Sequence, residues 1–245
     1  MSQAGTSEEV APVLLTDEQV GQAVRAVPNW YHRITLRPGI VTPGGSDSVE
    51  NLRRLQLPAD CRGARDLDLG ARDGFFSFEL ERRGAEVVAV DYLPAELTGF
   101  RVAADALGSR VQYVHANLYD LPGIGLGQFD IVLFLGLFYH LPDPLLALSV
   151  IRSHCRGLLF LESHVVEDGS DVPLMRFYPG RSLNDDPTNY WGPNVACLEA
   201  MLSESRFQTL SRACYGDRAI FRCHAREDQA LAYFNRLATG RRACA

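Results

Sequence analysis

The hydrophobic pattern of this chain changes period repeatedly between residues 61 and 225. Short apolar runs bounded by turn residues predict strands at 65–69, 86–91, 110–115, 130–135 and 156–163. Between them, apolar residues recur at helical spacing over 75–83, 94–107 and 144–153. Strands alternating with helices predict a mostly parallel sheet covered on both faces, and the run Ile131-Val132-Leu133-Phe134-Leu135 has the uninterrupted apolar character of a strand buried on both sides. A helix over 195–205 follows. Strands over 207–215 and 218–224, separated by Gly216-Asp217, then predict a C-terminal antiparallel hairpin. The expected fold class is α/β: a Rossmann-like, seven-stranded, mostly parallel sheet with helices on both faces.

Three segments stand outside this rhythm. Residues 1–60 predict a helical extension and active-site cap. Thr16 is an N-cap for a helix running to about Val27 and stopped by Pro28, and a second helix covers 48–57 before Pro58. Residues 164–193 hold Pro173, Pro179, Pro187 and Pro193. The aromatics Phe177, Tyr178, Tyr190 and Trp191 within this stretch predict an ordered lid inserted in the 61–225 core. Residues 226–245 predict a surface helix and tail.

Candidate chemistry concentrates where strands end. Leu67-Asp68-Leu69-Gly70 leads into a turn closed by Gly74, and Asp91 ends the next strand seventeen residues later. In a strand–turn–helix–strand unit such glycines let backbone approach a nucleoside, and the distant acid offers two acceptor oxygens to vicinal ribose hydroxyls. Asp68 is placed to accept from a cationic amine of the ligand. Tyr92 packs near the base, and Leu118 and Leu135 supply apolar walls. Gly136-Leu137-Phe138-Tyr139-His140 follows the fourth core strand, and an imidazole there suits proton transfer near neutral pH. Tyr139, His140 and Glu162 are the candidate catalytic groups. Trp30, Tyr31, His32, His164, Tyr190, Trp191 and Arg218 are the candidate acceptor-binding groups.

Composition narrows the class. All 24 basic residues are Arg, against 30 acids, for a formal charge of −6. That balance disfavours nucleic acid as the main partner, because neutralising phosphates supplies much of such affinity. The six cysteines form no C-x-x-C pair, so no metal site is expected. No apolar run is long enough to span a bilayer, and residues 1–15 lack the features of a signal peptide, so a cytoplasmic protein without a membrane partner is expected. The oligomeric state stays open, a homodimer included.

The D-x-G-x-x-x-G turn resembles that of class I S-adenosylmethionine (SAM) methyltransferases. More specifically, the chain is similar to the tRNA wobble-uridine carboxymethyltransferases, which use carboxy-SAM, and to their small-molecule relatives. The matching elements are Trp-Tyr-His-Arg-Ile-Thr-Leu-Arg-Pro-Gly at 30–39, Leu-Asp-Leu-Gly-x-x-x-Gly at 67–74, Gly-Leu-Phe-Tyr-His at 136–140 and Asp217-Arg218-Ala219. The resemblance implies that Tyr139 and Arg218 approach the cofactor's carboxylate end. Residues 41–57 lack the lysines and tryptophan that the family uses for carboxy-SAM, which favours ordinary SAM. The expected function is methyl transfer from SAM to an O, N or C atom of a small molecule, in natural-product biosynthesis. The alternatives are tRNA wobble-uridine (carboxy)methylation and a non-catalytic binding subunit of the same fold.

Overall fold

The computed structural model describes residues 15–226, so the surface helix and tail expected over 226–245 lie outside the described residues, apart from position 226. The N-terminal extension contains α1 (Asp17–Ala26), a small antiparallel pair β1 (Thr35–Arg37) and β2 (Ile40–Val41), and α2 (Ser48–Leu55). Thr16 and Gln19 form the reciprocal cap that starts α1. The second helix stops short of Pro58, with Gln56 in the left-handed conformation at φ +51°.

The core continues with β3 (Arg65–Leu69), α3 (Phe75–Arg82), β4 (Glu86–Asp91), α4 (Phe100–Leu107), β5 (Gln112–His115), a short α5 (Leu121–Ile124), β6 (Phe129–Leu135), α6 (Pro144–His154) and β7 (Cys155–His164). The helix expected over 94–107 is instead a single 3-10 turn at Ala95–Leu97 followed by α4. The break falls at Thr98, whose backbone is extended (φ −118°, ψ −177°), and at the adjoining Gly99 a Cβ would lie 2.1 Å from the Trp30 ring, so this point must be bare backbone against the cap. The lid is not wholly irregular, because β8 (Met175–Phe177) and β9 (Trp191–Pro193) pair antiparallel at its base. The chain then forms α7 (Val195–Glu204), β10 (Phe207–Tyr215) and β11 (Arg218–Ala225).

The seven strands lie in the order β10-β11-β7-β6-β3-β4-β5, with β3 to β7 parallel and the β10–β11 hairpin antiparallel to β7. From β3 the chain steps outward to β4 and β5, then crosses back to β6 on the other side. That reversal leaves a crevice beyond the carboxyl ends of β3 and β6, the usual ligand position in such sheets.

The central strand shows how the sheet is covered. Leu67 and Leu69 face one layer, packed with Leu148 and Ile151 of α6 and Leu198 and Leu202 of α7. Asp66 and Asp68 face the other layer, and Asp68 accepts a hydrogen bond from Ser77 of α3 at 2.6 Å. Asp66 is fully buried and neither carboxylate oxygen has a hydrogen-bond partner. Burial, with the Asp130 charge nearby, pushes its carboxyl up to about 7.

This sets a pH dependence of stability. A carboxyl raised in the fold above its unfolded value near 4 favours folding while protonated, and its contribution is lost as pH rises toward 7. Asp66→Asn removes that titration, so the fall in unfolding free energy between pH 5 and pH 8 should shrink by about 2 kcal/mol. Urea denaturation of both proteins at the two pH values checks this; parallel pH profiles would show Asp66 ionised in the folded chain.

Candidate active site

A cavity of about 970 Å³ occupies the crevice. Its floor is made by the ends of β3, β4, β6 and β7, its roof by residues 31–55 of the cap and 184–190 of the lid.

One end is built by the glycine turn. Gly70 takes φ +74°, which strains any residue with a side chain, and a Cβ there would crowd Leu137 at 3.2 Å. Asp91 is buried at the end of β4; one carboxylate oxygen accepts from the Arg72 N–H at 2.9 Å, the other from the Leu93 N–H at 2.9 Å. Each oxygen keeps a lone pair for a further donor, so the carboxylate fits a pair of vicinal hydroxyls. Asp68 lines the same end, and burial pushes it up to about 6, so it is largely ionised at neutral pH. Tyr92, Leu118 and Leu135 also line the cavity. Gly74 does not: it caps α3 beneath Phe78 and Phe100, so its role is packing.

The cap is fastened to this turn by Asp73, which is fully buried. Its carboxylate accepts from the N–H groups of Tyr31 (2.7 Å), His32 (2.8 Å) and Gly99 (2.9 Å). Tyr31 and His32 are thereby set against the cavity. Burial pushes the His32 imidazole down to about 4 despite the Asp73 charge, so the ring is neutral. Trp30 corrects the sequence expectation: it does not line the cavity but is buried over Gly99, its indole N–H donating to the Val24 carbonyl at 3.0 Å.

The other end is a charge cluster. Arg218 pairs with Glu162 in a two-pronged bond, Nε to Oε1 at 2.5 Å and Nη2 to Oε2 at 2.6 Å, and Arg218 Nη1 donates to the Tyr139 hydroxyl at 3.2 Å. The Tyr215 hydroxyl donates to Glu162 Oε1 at 2.9 Å. Glu162 is thus a held counter-ion rather than a free base, and it neutralises Arg218. Arg218 therefore presents no uncompensated charge with which to select an anionic acceptor. Burial raises the Tyr139 hydroxyl above its ordinary value, so it stays protonated.

His140 and Tyr190 line the cavity between cluster and lid. His164 and Trp191 do not, and both correct the expectation. His164 bridges Asp217 (3.1 Å) and the lid's Tyr178 (3.2 Å). Trp191 packs against Phe177 with the rings tilted by 59° and donates from its indole N–H to the Leu141 carbonyl at 3.0 Å. Both fix the lid from outside the cavity. Sequence reasoning missed Asp73, Tyr215, Asp186 and Thr188. Asp186-Pro187-Thr188 carries a turn signal, but nothing local in it points to the cavity.

Residues 67–157 match the family model of a methyltransferase domain. The tRNA U34 carboxymethyltransferase of Campylobacter jejuni (strain RM1221) is 25% identical over 144 residues, 58% of this chain and 48% of that protein. The ubiquinone biosynthesis O-methyltransferase of Cereibacter sphaeroides is 35% identical over 107 residues, 44% of this chain and 41% of that protein. The chain spans about half the length of the curated relatives it matches. Among solved structures, the N-terminal domain of EvdMO1, crystallised in the presence of SAH and D-fucose, superposes with a TM-score of 0.63 at 19% identity, over 88% of this chain and 98% of that one. Fold and domain match together define a class I methyltransferase fold. Residues 67–157 are thus similar to a methyltransferase domain, and the fold around them is that of the class I methyltransferases.

Asp73→Ala should leave three buried N–H groups without an acceptor and lower the unfolding free energy by about 3 kcal/mol or more. It should also expose the chain before Arg33 to limited proteolysis. Wild-type denaturation and cleavage patterns in the variant would show that the cap is held by other contacts.

Proposed function

We propose that this protein transfers a methyl group from SAM to a small-molecule acceptor. The observation that carries this reading is the single roofed cavity joining the Asp91 end to the His140 end. At about 970 Å³ it has room for a nucleoside together with a small acceptor, and residues of both cap and lid line it. When bound, SAM would supply the electrophilic methyl carbon. Asp91 would hold the ribose hydroxyls, Asp68 the ammonium group, and Tyr92, Leu118 and Leu135 the adenine surroundings. Tyr139 and Arg218 would close the far side, and Tyr31, His32 and Tyr190 would bound the acceptor. His140 is the base.

Ordinary SAM fits this cavity better than carboxy-SAM. A further carboxylate needs a cation to offset its desolvation, and Arg218 is already neutralised by Glu162. The chain also has no lysine. The similarity to tRNA-modifying enzymes keeps tRNA as the second reading; the acidic chain and the roofed cavity favour a small molecule. No helix among the described residues is long and apolar enough to cross a membrane. A cytoplasmic enzyme of natural-product biosynthesis is the setting this reading suggests.

Asp91→Ala should weaken SAM binding tenfold or more, since hydrogen bonds to a charged group are worth about 1.5–3 kcal/mol. Isothermal titration calorimetry reads this directly, and an unchanged affinity sinks the ribose assignment. Mass spectrometry of nucleoside released from the purified protein should find SAM or its demethylated product. Carboxy-SAM there would instead favour the tRNA-type reading.

A further inference from the structure

His140 stands on the short turn after β6, and its Nδ1 faces the lid. Nδ1 lies 2.8 Å from the Thr188 hydroxyl oxygen and 3.2 Å from the Thr188 carbonyl oxygen. A carbonyl oxygen can only accept. The Thr188 hydroxyl hydrogen is already donated to Asp186 Oδ1 at 2.7 Å, so toward His140 that oxygen is an acceptor too. Both neighbours of Nδ1 therefore demand a proton on it. In the neutral ring this leaves Nε2 with the lone pair, and Nε2 makes no hydrogen bond among the described residues. Asp186 is itself fixed, because the same oxygen accepts the Thr188 N–H at 2.8 Å.

The charges facing this ring come from three elements. Asp186 of the lid favours the protonated ring, Arg218 of β11 opposes it, and Tyr139 packs beside it with ring centroids 4.3 Å apart. Burial outweighs Asp186 and holds the imidazole below the ordinary histidine value, so His140 is an unprotonated base at neutral pH.

We propose that Asp186 and Thr188 are positioning residues. They fix His140 as the Nδ1–H tautomer and stabilise the imidazolium formed when Nε2 takes a proton, so that the site favours acceptors that release a proton on methylation, such as a hydroxyl. This rests on the methyl-transfer reading of the cavity. In the step, the acceptor oxygen forms the new bond to the methyl carbon. The carbon–sulfur bond breaks and leaves its electron pair on sulfur, and the hydroxyl proton moves to His140 Nε2. The positive charge lost from sulfur thus appears on an imidazole linked through the Thr188 hydroxyl to the Asp186 carboxylate. An acceptor without a removable proton gains nothing from this arrangement.

The test reads the ring itself in the ligand-free protein. Nitrogen-15 NMR of the histidines from pH 5 to 8, with His140 assigned by its loss in His140→Gln, should show Nδ1 bearing the proton and Nε2 the lone pair. Asp186→Asn should lower the titration midpoint of His140 by about half a unit or more. Thr188→Val should do the same and admit the other tautomer, and Thr188→Ser should restore both. A lid latch without a role in proton transfer would leave the midpoint unmoved in Asp186→Asn and Thr188→Val. That result, or a wild-type ring protonated on Nε2, overturns the proposal. Calorimetry of wild-type protein with SAM separates the two levels. Absent binding overturns the methyl-transfer reading, whereas binding with the wrong tautomer overturns only the role of Asp186 and Thr188.

Discussion

The Asp73 carboxylate receives N–H groups from Tyr31, His32 and Gly99, which are distant in sequence and converge only in the fold. Each tie places a different part of the site. Tyr31 and His32 bring the cap over the crevice, Gly99 starts α4 where the Trp30 ring can lie on it, and Asp73 belongs to the turn that carries Gly70. A fully buried carboxylate is tolerated because its hydrogen-bonding capacity is met by fixed backbone donors. It adds directed ties to the apolar packing of Val24, Trp30 and Ile34 against Phe100 and Ala103, which also seats the cap on the core.

The charge cluster at the other end follows from strand register. In the β7–β11 pair Glu162 lies opposite Ile220, two residues from Arg218, so the two charged side chains are diagonal neighbours on one face. In the hairpin, Tyr215 lies directly opposite Arg218 and reaches the same carboxylate. A slip of one residue would turn Arg218 to the opposite face of the sheet. The hairpin is thus both the edge of the sheet and the device that delivers a compensated guanidinium to the cavity. That compensation leaves the cavity wall at this end without an unpaired positive charge from Arg218.

The parts of this architecture that rest on local pattern could be read in the sequence. The β3–α3–β4 unit, the acid at the end of β4 and the C-terminal hairpin all follow from period, turn residues and apolar runs. So does the position of His140 on the turn after β6, because a strand end in a parallel sheet faces the crevice wherever the strand lies. What could not be read depends on contacts between segments far apart. Trp30 and Trp191 looked like ligand-facing aromatics, yet their indole N–H groups are taken by the Val24 and Leu141 carbonyls, and the rings pack away from the cavity. His164 ends β7 as expected, but Asp217 and Tyr178 turn it toward the lid. The need for a bare Gly99 at the start of α4 was hidden as well, because the Trp30 ring that packs on it lies almost seventy residues earlier in the chain.

The lid and the turn after β6 behave as one structural unit. The Tyr190 N–H donates to the Tyr139 carbonyl at 2.8 Å, the Trp191 indole to Leu141, and Thr188 holds His140, so four consecutive lid residues carry three ties to one short turn. Phe138, fully buried in the core between these ties, anchors the turn to the sheet. The acceptor side of the cavity is therefore assembled from two loops that support each other, whereas the nucleoside side is built on strand ends. Strand ends are dictated by the fold and so carry a general ligand. Loop walls take their shape from a few side-chain contacts that no periodicity announces. This division explains why the cofactor end of the cavity is legible from the chain's pattern, while residues such as Thr188 and Asp186, which tie the lid to His140, join the cavity only once the lid is in place.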